Sequence, residues 1–88
     1  MLWLRDEFGN LYQARRITMG DGPGDSGRIF VNNCIASEPY SLDVIEEILA
    51  DITSKMREGV CLMDLEEIIR EVRYDMSAPL SKGMIAVA

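Results

Sequence analysis

The chain predicts an α+β fold: a small antiparallel β-sheet of three strands, four if the tail adds one, packed against two amphipathic α-helices in the order β-β-β-α-α(-β). Three observations carry that expectation. Strand-like segments separated by turn signals fill residues 1–36, apolar stripes of helical period fill residues 41–76, and the second stripe nearly copies the first. Leu42/Leu62, Glu46/Glu66, Glu47/Glu67, Ile48/Ile68 and Met56/Met76 are identical, while Ile45/Leu65, Leu49/Ile69, Asp51/Glu71 and Ile52/Val72 keep their chemical type. Any two amphipathic helices align on their apolar positions. Only the Glu-Glu pairs and the two methionines exceed what the stripe requires, so the match predicts like helices more firmly than an internal duplication.

Residues 2–5 and 11–18 read as the first two strands, joined by Asp6-Glu7-Phe8-Gly9-Asn10, where Gly9 and Asn10 can take the positive φ of a tight hairpin. Alternation in the second strand is imperfect, because Leu11, Ile17 and Met19 share a face with Gln13 and Arg15. A bulge or twist over residues 14–16 reconciles it. Residues 20–27, Gly-Asp-Gly-Pro-Gly-Asp-Ser-Gly, predict a flexible hairpin loop. Residues 28–36 then predict a single third strand, apolar on both faces, as suits a central strand or one packed on each side.

Ser41 is suited to cap the first helix, with Tyr40 and Ile45 placed to staple across it. Leu42, Ile45, Leu49, Ile52 and Met56 step by three and four, and Val44 and Ile48 widen the stripe into a face that packs on a sheet. Lys55 and Arg57 suit the negative end of the helix dipole, and Gly59 is the natural residue to end it. Asp64-Leu65-Glu66-Glu67 starts the second helix, stapled by Met63 and Ile68; its inner face is Leu65, Ile68, Ile69, Val72 and Met76. Asp51–Lys55 and Glu66–Arg70 predict ion pairs worth about 0.2–0.5 kcal/mol each, whereas Glu47–Asp51, Glu67–Glu71 and Glu71–Asp75 repel by similar amounts. Both helices are expected on one face of the sheet. Residues 77–88 are read as a tail or a short last strand.

At 88 residues the chain is expected to be one domain, 1–88, with one core. No apolar run approaches a membrane span of about 18 residues, and Met1-Leu2-Trp3-Leu4-Arg5-Asp6 lacks the basic start and apolar run of a signal peptide, so a cytoplasmic protein without membrane contact is expected. Histidine is absent, which removes the usual general base near neutral pH and the commonest zinc ligand. Serine–histidine and cysteine–histidine chemistry are excluded within the chain. Cys34 and Cys61 form no Cys-x-x-Cys pair and are expected to be small buried apolar residues, though sequence leaves a bridge between them open.

The net charge of −6 is carried by one region: residues 41–76 hold ten acids against four bases, and the rest of the chain balances. Glu46, Glu47, Glu66 and Glu67 are therefore the expected partner-binding residues, forming an acidic helical surface for a protein with a basic surface. The expected function is a non-enzymatic interaction or regulatory module with no catalytic residue, cofactor or metal. Self-association, as a homodimer, is expected from the two-sided apolar third strand and the apolar tail. The alternative is nucleic-acid binding through Arg15, Arg16 and Arg28, expected to lie near one end of the sheet; a pI near 4.5 argues against it.

Other patterns are weaker. The glycine-rich loop lacks the Lys-Ser/Thr and following helix of a phosphate cradle, and it offers Asp21 and Asp25 but neither the third carboxylate nor the twelfth-position glutamate of a calcium loop. Arg70, Arg73 and Tyr74 resemble one face of a recognition helix, but Glu66, Glu67, Glu71 and Asp75 on that helix would repel DNA. Trp3 is expected to anchor the core or an interface.

Overall fold

Leu2–Arg5 (β1) and Leu11–Ala14 (β2) pair as the expected antiparallel hairpin, with Leu4 opposite Tyr12. Of the loop residues only Gly9 takes positive φ, at 90°; Asn10 serves instead as a hydrogen-bond donor. The buried Asp6 carboxylate accepts from the Phe8 and Asn10 backbone N–H groups at 2.9 and 2.8 Å and from the Asn10 side-chain amide at 3.2 Å. This turn is held from inside. The structure is a computed structural model that describes residues 1–77, so the expected tail strand falls largely outside the described residues.

The chain is α+β as expected, but the sheet is divided. The second predicted strand breaks at Arg15-Arg16, and a new strand, Ile17–Asp21 (β3), pairs with Ser26–Val31 (β4). The imperfect alternation marks this break. Asn32 holds it: its side-chain oxygen accepts from the Arg15 and Arg16 N–H groups at 2.8 and 3.1 Å, and its amide donates to the Gln13 carbonyl at 3.0 Å. The expected flexible loop shrinks to a compact turn, since β3 and β4 run into it from both sides and the Gly22 N–H donates to the Ser26 carbonyl at 3.0 Å. Gly20 within β3 leaves room for the Phe30 ring that lies across it, and a Cβ there would force that ring to move.

The third predicted strand is likewise two. Asn32 and Asn33 take φ of 52° and 68°, reversing the chain into Cys34–Ile35 (β5), which pairs back on β4. Tyr40–Ser41 (β6) joins β4 farther along, and between the two the Ser37 hydroxyl accepts the Ile29 N–H at 2.8 Å where no strand is present. Both cysteines are exposed and unbridged, not buried as expected, because Cys34 stands on the short outer strand and Cys61 just before the next one.

The first helix, Leu42–Arg57 (α1), follows β6 directly; Ser41 makes no side-chain cap and is spent as a strand residue. Its end is as expected: Gly59, at φ 86°, and Val60 donate back to the Met56 and Lys55 carbonyls at 3.1 and 3.0 Å, a Schellman closure. Leu62–Asp64 (β7) then pairs in parallel with β1, Met63 beside Leu4, a strand the sequence reading did not include. Asp64 caps the second helix, Leu65–Ser77 (α2), by accepting the Glu66 N–H at 3.1 Å.

The result is two sheets, ordered β2-β1-β7 and β3-β4-β5 with β6 also on β4. α1 packs on β4 and β6, α2 on β1 and β7, and the helices meet each other. Each helix covers its own sheet. One apolar cluster nevertheless joins both halves: Leu4 and Met63 from the first sheet, Ile29 and Val31 from the second, and Ile45, Ile48, Leu65 and Ile68 from the helices.

Candidate functional site

The helical stripes bury their apolar faces and leave their acids outside. Glu46, Glu47, Glu66 and Glu67 are all exposed, as are Glu71 and Asp75. They do not form one cluster. On α2, Glu67, Glu71 and Asp75 follow one another four apart along one flank, while Glu66 stands on the opposite flank beside Arg70. Glu66 accepts from Arg70 at 3.1 Å, and Lys55 pairs with Asp51 at 2.7 Å, as the spacing predicts. Asp51, first through its hydrogen bond and then with Glu71 and Glu58, raises the Lys55 pKa against the opposing effect of burial. That ammonium is held by the acids around it.

The opposite flank of α2 faces an open cleft of about 680 Å³ lined by Glu7, Tyr40, Val44, Ile69, Arg73 and Met76 among others. Glu7 ties the first hairpin to the second sheet: one carboxylate oxygen accepts the Glu38 N–H at 2.8 Å, the other accepts the Tyr40 hydroxyl. Arg73 lies over the Tyr40 ring, 5.4 Å from its centre, within cation–π range. Desolvation, followed by the Glu7 carboxylate, pushes the Tyr40 hydroxyl well above the ordinary tyrosine range. It is a hydrogen-bond donor at neutral pH. Burial and then Asp6 raise Tyr12 in the same direction.

This cleft escapes a sequence reading, because Glu7 and Tyr40 are 33 positions apart and join only once the two sheets are in place. The spacing of Arg70 and Arg73 on one helix face is the sole local signal. The basic edge comes apart instead. Arg15 and Arg16 stand at the break before β3, whereas Arg28 is opposite Gly20, toward the turn, roughly 13 Å along the strand from Arg16. Trp3 is on the outer face of the first sheet, in register with Gln13 and Leu62 and 41% exposed, outside the core.

No protein-family model matches this chain, and no curated protein or solved structure matches it significantly. Its residues therefore carry the functional reading by themselves. Among the described residues no group of three or more His, Cys, Asp or Glu is arranged to hold a metal ion, and no helix is long and apolar enough to cross a membrane.

Proposed function

We propose that the chain is a non-enzymatic, cytoplasmic interaction module that offers its acidic helical surface to a protein with a basic surface. The observation that supports this most is the exposed row Glu67, Glu71 and Asp75 on α2, together with exposed Glu46 and Glu47 on α1. Carboxylates four apart repel by about 0.2–0.5 kcal/mol per pair, and a cationic partner turns each of those costs into attraction. The net negative field of the two helices speeds encounter with a basic protein. Arg70 and Arg73 do not cancel it, because they stand on the other flank, Arg70 on Glu66 and Arg73 over Tyr40.

The test is quantitative affinity capture with mass spectrometry, the native chain and the Glu46→Gln/Glu47→Gln/Glu67→Gln/Glu71→Gln/Asp75→Asn variant serving as parallel baits. Basic proteins held by the native bait are expected to be lost from the variant, and to elute as salt approaches about 1 M, where the screening length falls to about 3 Å. If the same proteins stay on both baits through that salt range, the reading is wrong.

A further inference from the structure

Among the described residues β3 is the last strand of its sheet and pairs with β4 alone. The Asn32 N–H donates to the Arg16 carbonyl at 2.8 Å, and the Gly22 N–H to the Ser26 carbonyl at 3.0 Å. In the register that sets Ile17 opposite Val31, residues 16, 18, 20 and 22 are thus the ones that exchange hydrogen bonds with β4. An antiparallel ladder alternates, so the backbone N–H and C=O groups of Ile17, Met19 and Asp21 point away from β4.

The other strand edges among the described residues are short or plugged. β5 and β6 have two residues each and β7 three, while on β2 the Gln13 carbonyl is taken by the Asn32 side chain. β3 has five residues with neither proline nor lysine, and Met19 on it is 47% exposed. Such an edge accepts another strand.

We propose that β3 pairs antiparallel with β3 of a second copy about a two-fold axis at Thr18, making one continuous sheet from two chains. Outward-pointing residues must meet outward-pointing residues, which gives three or more pairs within β3 for registers centred on Thr18, Met19 or Gly20; the last sets Ile17 against Pro23, which has no N–H to donate, and leaves Thr18 and Met19. Centring on Thr18 sets Ile17 opposite Met19 of the second copy, and it turns the exposed side chain of Arg15, in the bend just before β3, toward the exposed Asp21 of that copy, twice over by symmetry. Centring on Met19 sets Asp21 against Ile17 and leaves the charges unmatched. Charge complementarity selects Thr18. With strands about 4.8 Å apart, the two β4 strands, on each of which an α1 helix packs, stand about 14 Å apart. This inference stands apart from the acidic-surface reading, since it uses the backbone of β3 and none of the helix carboxylates.

Light scattering over a concentration series is expected to reach twice the chain mass. Met19→Pro removes an N–H that bonds nothing within the sheet, a place where an edge strand tolerates proline. That variant is expected to keep its circular dichroism while its dimer dissociation constant rises roughly tenfold or more. A native chain that stays at one chain mass throughout, or a folded Met19→Pro that dimerises as before, overturns the proposal. If Met19→Pro does not fold, Met19→Lys decides by the same two outcomes. The register is read in a Cys34→Ser/Cys61→Ser background. Thr18→Cys should bridge to itself across the axis, where paired Cα atoms are about 4.5 Å apart, and Met19→Cys should not; the reverse result overturns the register.

Discussion

Laid over one another with the shift that matches their sequences, α1 and α2 bury the same ladder of positions. Ile45/Leu65, Ile48/Ile68 and Ile52/Val72 are buried in both, with Leu49 half-buried where Ile69 is buried, whereas Glu46/Glu66, Glu47/Glu67 and Met56/Met76 are exposed in both. They differ at the start. Leu42-Asp43-Val44 is already helix, but the matching Leu62-Met63-Asp64 is strand β7. The cause is the neighbour: Met63 has β1 to pair with, and Asp64 ends the strand by capping the helix behind it. Ser41 instead spends itself as the last residue of β6 and caps nothing, so α1 begins directly after it. An apolar stripe thus decides which face of a helix is buried. The strand in front of it decides where the helix begins.

The comparison is most exposed at its deepest pair. Ile45→Ala and Leu65→Ala each empty a fully buried site in the shared cluster, so each is expected to lower unfolding free energy by about 2–5 kcal/mol in denaturant titrations. A loss below about 1 kcal/mol at either one would break the equivalence of the two helices. The helix starts give a smaller and opposite contrast. Asp64→Ala is expected to cost about 1 kcal/mol by removing the bond to the Glu66 N–H, and Ser41→Ala no more than about 0.5 kcal/mol, since no cap bond is lost. Equal costs would mean that the two starts are alike after all.

What sequence could show follows the same division. The stripes, the Asp64 cap, the Gly59 ending and both predicted ion pairs are local, set by residues three to four apart, and they stand as expected. The exposed positions of Glu46, Glu47, Glu66 and Glu67 follow from the same period. The division of the sheet was only half legible. Uneven alternation flagged residues 14–16, but the Asn32-Asn33 turn passed as strand because the apolar residues around it continue on both sides. β7 is three residues long and gains its strand character from β1, nearly sixty positions away. Glu7, Tyr40 and Arg73 likewise meet only through the fold. Long-range pairing leaves no local period to read.

The central structural claim is that two strand–helix halves, each on its own sheet, share one core. Trp3, the only tryptophan, stands in the first sheet, while the helices report on both halves. Urea unfolding followed in parallel by Trp3 fluorescence and by far-ultraviolet circular dichroism tests this directly. A shared core predicts one transition with the same midpoint and slope by both probes. A Trp3 transition separated from the loss of helix would show that the halves unfold independently, and the account of a single core would be wrong.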